Sequence, residues 1–121
     1  MPLTAMDLVT AAKQHIREID VATAQAELGQ YLCLDVREPA EFQAGHLPGA
    51  INIPRGVLEF KIGNEPRLQN NPQAPILVYC QTGGRSALAT EAIQKLGYSG
   101  AVSMAGGFNA WSQQGGAVEK A

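Results

Sequence analysis

Short apolar runs alternate along this chain with segments of helical spacing. Five of the runs predict β-strands, at residues 16–19, 31–36, 50–53, 76–79 and 101–104. The second and fourth runs are almost continuously apolar, which is typical of strands that helices cover on both faces. Strands that alternate with helices at this spacing predict an open α/β fold whose central sheet is parallel.

Start and stop signals mark the helices between these strands. Asp20 is suited to cap a helix over residues 21–28, and Pro39 fits the first position of a short helix. After Ser86, apolar residues recur at helical spacing and predict one buried stripe, made of Leu88, Ala89, Ala92, Ile93 and Leu96. Further helices are predicted over residues 6–14 and 108–113, and residues 64–74 indicate a long loop.

Length and composition indicate a single domain. The chain has 121 residues, of which 45% are hydrophobic, enough to build a packed core without a metal or a disulfide. We expect residues 1–15 to form a helical extension to a domain at residues 16–121.

Charge, hydropathy and cysteine content indicate which partners and which cellular compartment to expect. The formal net charge is -2 and the basic residues form no stripe, which argues against nucleic-acid binding. The apolar runs are far shorter than a membrane span, and the first residues lack the basic and apolar regions of a signal peptide. Because the two cysteines, Cys33 and Cys80, are too few for a disulfide framework, we expect a reducing, cytoplasmic setting.

The segment that carries the most chemistry runs from Cys80 to Ser86 and has the sequence CQTGGRS. It joins a buried strand to a helix, and ligand sites of open α/β sheets lie outside the carboxyl ends of the strands. Gly83 and Gly84 permit positive φ angles, so backbone N–H groups can turn inward around an anion at the positive end of the helix. We therefore expect substrate to contact Gln81, Thr82, Gly83, Gly84, Arg85 and Ser86.

Cys80 is the candidate nucleophile. A thiol at the floor of such a loop has a stabilised thiolate, which the permanently charged Arg85 would reinforce, and it needs neither a metal nor the base of a catalytic triad. The alternative, that Cys80 only fills space at a strand end, is disfavoured by the glycines and the arginine. Cys33 is flanked by Leu32 and Leu34 within a strand and is predicted to be inert core.

Two related kinds of loop are poorer matches. The phosphate-binding GxxxxGK[ST] loop is absent, because no Lys-Ser or Lys-Thr follows the glycines. In cysteine phosphatases the cysteine and the arginine stand one residue further apart than Cys80 and Arg85, which only four residues separate here. The shorter ring favours sulfur over a phosphoryl group as the cargo.

Four stretches occur in an order that is specific to one family: residues 34–39 (LDVREP) with 41–42 (EF), 45–54 (GHLPGAINIP), 80–86 (CQTGGRS) and 106–111 (GGFNAW). In these stretches the chain resembles the rhodanese (thiosulfate sulfurtransferase) superfamily, in particular its single-domain members. The resemblance implies a doubly wound α/β domain with a central five-stranded parallel sheet flanked by helices. It also implies a ping-pong reaction, in which the cysteine takes sulfane sulfur from a donor such as thiosulfate and passes it to a thiophilic acceptor. The six-residue active loop of the family maps onto Cys80 through Arg85.

Three residues outside the loop are predicted to support the site. Asp35 and Arg37, at a strand end, either orient loops around the site or, in the case of Arg37, pair with a nearby carboxylate as a clamp of the fold. Arg55 and residues 57–62 are expected to border the mouth of the site, where Phe60 would form an apolar wall.

Two further residues have structural interpretations. His46, in a Gly-His-Leu-Pro-Gly turn, is expected to make a hydrogen bond that fixes a loop rather than to act as an acid or a base. Trp111, the only tryptophan, is expected to anchor the last helix to the core.

The leading hypothesis is a sulfurtransferase that carries sulfur as a persulfide on Cys80, without a metal or another cofactor. Its partners would be a small-molecule sulfur donor and a thiol, cyanide or protein acceptor, with neither nucleic acid nor a membrane involved. Two alternatives stay open: a phosphatase or arsenate reductase on the same fold, and a rhodanese-like binding module in which the site is incidental. Inactive members of the family typically lack the cysteine that this chain retains.

Overall fold

Five parallel strands form one sheet in the structure, a computed structural model that describes residues 2–120. The strands are β1 (Glu18–Ile19), β2 (Leu32–Asp35), β3 (Ile51–Asn52), β4 (Ile76–Tyr79) and β5 (Ala101–Met104). They lie side by side in the order β1-β5-β4-β2-β3, and every neighbouring pair is parallel. This arrangement confirms the predicted α/β fold. Met1 and Ala121, the outer ends of the predicted extension and domain, lie outside the described residues.

The two edge strands are shorter than predicted. β1 and β3 have two residues each, because each pairs with a single neighbour before the chain leaves the sheet. Ile16, predicted to begin the first strand, instead packs in an apolar cluster with Val9 and Ala12. The central strands β2 and β4 pair over their full length, and all of β4 is buried.

Six α-helices and four short 3-10 turns are found within residues 2–120. The helices are α1 (Ala5–Lys13), α2 (Val21–Glu27), α3 (Pro39–Ala44), α4 (Leu58–Lys61), α5 (Gly84–Lys95) and α6 (Gly107–Gln113). The 3-10 turns are Leu28–Gln30, Arg55–Val57, Ile62–Asn64 and Pro66–Leu68, the last of which lies within the predicted loop at residues 64–74. α4 is a single turn, too short for helical spacing to reveal it. None of the helices in this part of the chain has the length and apolar character needed to cross a membrane.

Helices cover both faces of the sheet. Successive strand residues point to opposite faces, so that β2 sends Leu34 to one side and Cys33 to the other. Residues of α4 and α5 pack on the Leu34 side, and residues of α2 and α6 pack on the Cys33 side. The sheet is therefore doubly wound, with two apolar cores that meet at the central strands.

Of the five predicted helix starts, two agree with the structure, two are one residue late, and the start of α5 differs by more. Asp20 caps α2, where its carboxylate accepts a backbone N–H at 2.8 Å, and Pro39 begins α3. α5 begins at Gly84 rather than after Ser86, so Arg85 and Ser86 belong to its first turn. The N-cap of this helix is a glycine, which makes no side-chain capping bond, and the sequence signal for the start is correspondingly weak.

The buried face of α5 also differs from the predicted apolar stripe. Leu96 is 51% exposed, and Leu88 and Ala92 are only half-buried. The buried positions are Ser86, Ala87, Ala89, Thr90 and Ile93. Two of them carry hydroxyls that are hydrogen-bonded inside the protein, as where Thr90 Oγ1 donates to Ser86 O at 2.7 Å. A hydroxyl that is hydrogen-bonded can be buried at little cost in free energy. A search for apolar residues at helical spacing therefore does not identify this face of α5 as the buried one.

α1 lies against α5. Val9 and Ala12 of α1 form a small apolar cluster with Ala87 of α5, and Ile16 and Leu88 border it. The first helix thus covers the start of the helix that follows the cysteine loop. The division into an extension at residues 1–15 and a domain at residues 16–121 stays a prediction.

Candidate active site

The Cys80 sulfur lies at the floor of the loop that joins β4 to α5. Two backbone N–H groups donate to Sγ, from Gly83 at 3.1 Å and from Ser86 at 3.3 Å. The thiol itself donates to Ser86 Oγ at 3.6 Å, and the residue is only 1% exposed. Donors that converge on one atom stabilise negative charge there, which a cysteine that merely fills space does not require.

Gly83 determines the curvature of this loop. Its φ of 113° lies in the left-handed region, and it is the N-cap of α5. The expectation that Gly84 also takes a positive φ is wrong, because Gly84 is already the first residue of the helix. A Cβ on Gly84 would meet Val9 Cγ2 at 3.6 Å, an ordinary van der Waals contact. Of the two glycines, only Gly83 is required by the backbone.

A second glycine pair, at residues 106–107, holds the cysteine loop from the side. Phe108 N donates to Cys80 O at 2.8 Å, and the next N–H along the chain donates to Gln81 O at 3.1 Å. A Cβ on Gly107 would lie 2.6 Å from both of these carbonyl oxygens, so the close approach requires glycine. In the sequence this pair belongs to a family motif, but it was not predicted to lie at the site. The available signal was a glycine pair one residue after the end of a strand.

Buried hydroxyls lie beneath the sulfur. Ser86 Oγ is 2.9 Å from Ser103 Oγ and donates to Gly83 O at 3.2 Å. Ser103 belongs to β5, the strand beside β4, and both serines are fully buried. Ser103 therefore helps to orient the Ser86 hydroxyl, which accepts the hydrogen bond from the Cys80 thiol. No sequence pattern indicates Ser103 as a site residue, because only the pairing of the strands brings it beside the cysteine loop.

Arg85 has a partner that the sequence did not indicate, in addition to its expected charge interaction with Cys80. Its guanidinium forms a two-pronged ion pair with Glu41 of α3, with N–O distances of 2.8 and 3.0 Å, whereas the N–H groups at Cys80 Sγ come from the backbone. The hydrogen bonds from Arg85 are the main cause that lowers the pKa of Glu41 to about 2. The same carboxylate raises the pKa of Arg85. Glu41 lies in a family motif of the sequence, but no local pattern there indicates its pairing with Arg85.

Arg37 joins three segments at the carboxyl edge of the sheet. It is 2% exposed and pairs with the fully buried Asp35 at 2.7 Å. It also donates to Gly45 O at 2.6 Å and to Gln81 Oε1 at 3.0 Å. The two alternatives considered for Arg37 are therefore compatible in the structure, since the clamp to Asp35 also orients the loop that begins at Cys80.

Gln81 and Thr82, the two loop residues that follow Cys80, differ in how firmly their side chains are held. The Gln81 side chain is held between Arg37 and Asn109, whose Oδ1 accepts its amide N–H. Thr82 is exposed at the surface of the loop. Contact of these residues with substrate stays a prediction.

Arg55 and the segment that follows it lie at the end of β3. Arg55 pairs with Glu59 one turn later at 2.9 Å. Leu58 and Ile62 are buried in the core, whereas Phe60 is 84% exposed. Leu58 and Ile62 thus anchor the segment in the core, while Phe60 presents its aromatic ring to solvent. Its place at the mouth of the site stays a prediction.

Three residues with structural interpretations lie in the interior. Cys33 is 4% exposed, and burial raises the pKa of its thiol to about 11. His46 Nδ1 lies 2.8 Å from Phe42 O, and the two rings stack with centroids 3.8 Å apart, so the side chain fixes this turn. Trp111 is 2% exposed and donates from Nε1 to Ala117 O at 2.8 Å.

Within residues 2–120, no group of three His, Cys, Asp or Glu side chains is placed to hold a metal ion.

The fold and the site together define a class of protein: a doubly wound parallel sheet with a cysteine in an N–H-lined loop at the end of its central strand. The family model of the Rhodanese-like domain matches residues 18–114, which is most of the chain. The chain belongs to the rhodanese-like family.

Three similar proteins illustrate the range of this family. Probable adenylyltransferase/sulfurtransferase MoeZ of Mycobacterium tuberculosis is 40% identical over 82 residues, and the match covers 67% of this chain but 20% of MoeZ. Thiosulfate:glutathione sulfurtransferase of Homo sapiens is 34% identical over 95 residues, covering 71% of this chain and 83% of that protein. The structure of RPA3614 from Rhodopseudomonas palustris, a protein of unknown function named as a possible tyrosine phosphatase, has a TM-score of 0.87 and 31% identity, covering 98% of this chain and 99% of that one.

Proposed function

We propose that the protein is a sulfurtransferase in which Cys80 carries sulfane sulfur as a persulfide. The observation that carries this proposal is the convergence of the Gly83 and Ser86 N–H groups on the Cys80 sulfur. Membership of the rhodanese-like family, and likeness to proteins named as sulfurtransferases, support the same function. Substrate would contact the loop that follows Cys80, at residues 81–86.

Sulfur transfer would proceed in two displacements. The Cys80 thiolate attacks the sulfane sulfur of a donor such as thiosulfate, so that a new S–S bond forms, the donor's S–S bond breaks, and sulfite leaves with the electron pair. Cyanide or a thiol then attacks the terminal sulfur of the persulfide and restores the Cys80 thiolate. The inward N–H groups of the loop stabilise the negative charge at both stages.

A phosphatase is the second candidate, because the similar protein RPA3614 is named as a possible tyrosine phosphatase. A bound phosphoryl group carries three charged oxygens, each of which needs donors. In this protein the N–H groups of Gly83 and Ser86 are directed at the sulfur, and the Arg85 guanidinium is bound to Glu41. These contacts favour sulfur transfer, as does the short spacing from Cys80 to Arg85.

The partners follow from the same chemistry. We propose a small-molecule sulfur donor and an acceptor that is cyanide, a thiol or a protein cysteine. Because Cys80 is almost fully buried, a slender terminal sulfur fits the site better than a bulky group. We also propose a reducing, cytoplasmic setting, which suits a cycle that depends on a free thiol.

Mass spectrometry after incubation with thiosulfate tests the proposal. We expect one added sulfur atom on Cys80, and release of thiocyanate when cyanide follows. Cys80→Ser should abolish both results, because a hydroxyl cannot store sulfane sulfur. Cys33→Ser is the matched control and should retain most of the transfer, since a thiol with a pKa of about 11 is protonated at neutral pH.

Three results would contradict parts of this account. A folded protein that gains no sulfur would refute the sulfurtransferase and favour a binding module. Equal loss of transfer in both variants, with unchanged circular dichroism, would show that Cys33 takes part as a resolving thiol. Robust hydrolysis of a small aryl phosphate by the unsubstituted protein would favour the phosphatase.

A further inference from the structure

Three arginines lie beyond the carboxyl ends of β2, β3 and β4, and each forms an ion pair with a carboxylate. The N–O distances are 2.7 Å for Arg37–Asp35, 2.9 Å for Arg55–Glu59 and 2.8 Å for Arg85–Glu41. Arg85 is the arginine that belongs to the cysteine loop. Its charge would be the most direct attraction for an anionic donor, and a carboxylate already balances it.

The position of Glu41 is built into the fold. It is the third residue of α3, and its carboxylate also accepts the backbone N–H of Glu38 at 3.0 Å in a capping box. This bond holds the carboxylate toward Arg85, with which it makes two parallel hydrogen bonds. The Arg85 and Glu41 side chains are 39% and 34% exposed, so an incoming donor meets both charges of the pair.

Neutralisation of Arg85 by Glu41 affects the approach of sulfur donors according to their charge. Thiosulfate carries two negative charges and must approach a thiolate, so it needs a neighbouring cation more than a donor with one charge or none. A carboxylate beside Arg85 removes most of that attraction. We propose that Glu41 is a specificity-determining residue, which neutralises Arg85 and thereby shifts the donor preference of Cys80 away from dianionic thiosulfate and toward persulfides of lower charge. This inference rests on the proposed sulfurtransferase function.

Both donors give the same product on Cys80. With thiosulfate, the thiolate takes the sulfane sulfur and sulfite leaves as a dianion. With a persulfide RSSH, the Cys80 thiolate bonds to the terminal sulfur and the S–S bond of the donor breaks. The thiolate RS⁻ leaves with the electron pair, while the proton stays on the new persulfide or passes to water. No oxidant or reductant is needed in either case, so the two rates can be compared directly.

The test compares Glu41→Gln with the unsubstituted protein. Mass spectrometry follows the rate of sulfur gain on Cys80 from thiosulfate and from the persulfide of 2-mercaptoethanol, which has no other ionisable group. We expect kcat/KM for thiosulfate to rise about fivefold in Glu41→Gln, the scale of a partly exposed ion pair, and the persulfide rate to change by less than about twofold. Glu41→Asp, which keeps the charge, should retain the original ratio of the two rates.

Glu38→Gln is the matched control. It removes one negative charge from the start of the same helix, and its amide oxygen can still accept the capping N–H, so the ratio should not change. In an Arg85→Gln background, Glu41→Gln should no longer raise the thiosulfate rate, because the cation that it releases is gone.

The unsubstituted protein supplies a second measurement, should Glu41→Gln fail to fold. If Glu41 neutralises Arg85, the thiosulfate rate should not fall as ionic strength rises from about 0.01 M to about 0.15 M. A steep fall would indicate an unbalanced cation and overturn the inference. An unaltered ratio in folded Glu41→Gln would also overturn it, whereas a Cys80 that gains sulfur from neither donor would refute the proposed function and this inference with it.

Discussion

Polar residues around Cys80 are paired with partners from other parts of the chain. Ser86 meets Ser103 at 2.9 Å, and Arg85 meets Glu41 at 2.8 Å. The first pair is fully buried, so its hydrogen bond is unscreened, while the second is partly exposed and is weakened by water. At the scale of single residues, we therefore expect the serine pair to act on the sulfur and the ion pair to act on the approaching donor.

Ser103→Ala tests the hydroxyl beneath the sulfur. The change leaves Ser86 Oγ without the partner that orients it, and we expect sulfur transfer to slow by about threefold to tenfold, with a loss of about 1 kcal/mol in the free energy of unfolding. Ser103→Thr restores a hydroxyl and should recover part of the rate. Single-turnover sulfur gain on Cys80 and urea unfolding measure the two effects.

Thr90→Val is the control for this prediction. It also removes a buried hydroxyl of α5, one that donates to the Ser86 carbonyl and not to the sulfur. A similar loss of stability with an unchanged rate of sulfur transfer is expected. If both variants slow the transfer equally, the effect of Ser103 is one of packing and not of orientation.

The cysteine loop is held between two helices. α5 begins at Gly84 and directs the Ser86 N–H at the sulfur, while the first N–H groups of α6 bind the carbonyl oxygens of Cys80 and Gln81. The loop is therefore fixed at both its N–H and its C=O groups. At the scale of elements, a change in loop length would therefore disturb contacts with both helices.

Insertion of a glycine between Gly83 and Gly84 tests the dependence on loop length. The extra residue displaces the Gly83 and Ser86 N–H groups from the sulfur, so we expect sulfur transfer from thiosulfate to fall by about tenfold or more. The unsubstituted protein should show no aryl phosphate hydrolysis above background. Transfer that survives the insertion at full rate would show that the N–H ring is not needed for the reaction.

At the scale of the whole molecule, α1 packs against α5, the helix that follows the cysteine loop. Val9 is 5% exposed and packs with Ala12 and Ala87, whereas Leu8, its neighbour on α1, is 50% exposed. We propose that α1 is part of the folded unit and supports the start of α5. The family model begins after this helix, at residue 18.

Val9→Ala measures this contribution. The loss of two buried methyl groups should lower the free energy of unfolding by about 1–3 kcal/mol, as read from thermal or urea unfolding. Leu8→Ala is the matched change on the exposed side of the same helix and should stay within about 0.5 kcal/mol. Equal, small effects would indicate that α1 is only loosely attached to α5.

Local features of the sequence were sufficient for the fold class and for the position of the cysteine loop. Apolar runs, the Asp20 cap and the glycines after Cys80 act over a few neighbouring residues, and the motif order along the chain identified the family. These signals depend on periodicity and turn chemistry, which a single chain displays directly. They located β4 and β5 to the residue and placed Cys80 at a strand end.

The partners of the site residues were decided only by the tertiary structure. Glu41 lies 44 positions from Arg85, and Ser103 lies 17 positions from Ser86, so no local pattern relates them. The helical conformation of Gly84 and the short edge strands were likewise hidden, because they depend on which elements pack together. Sequence alone therefore predicted which residue reacts and where it lies, while the contacts between distant segments decided which charges and hydroxyls surround it.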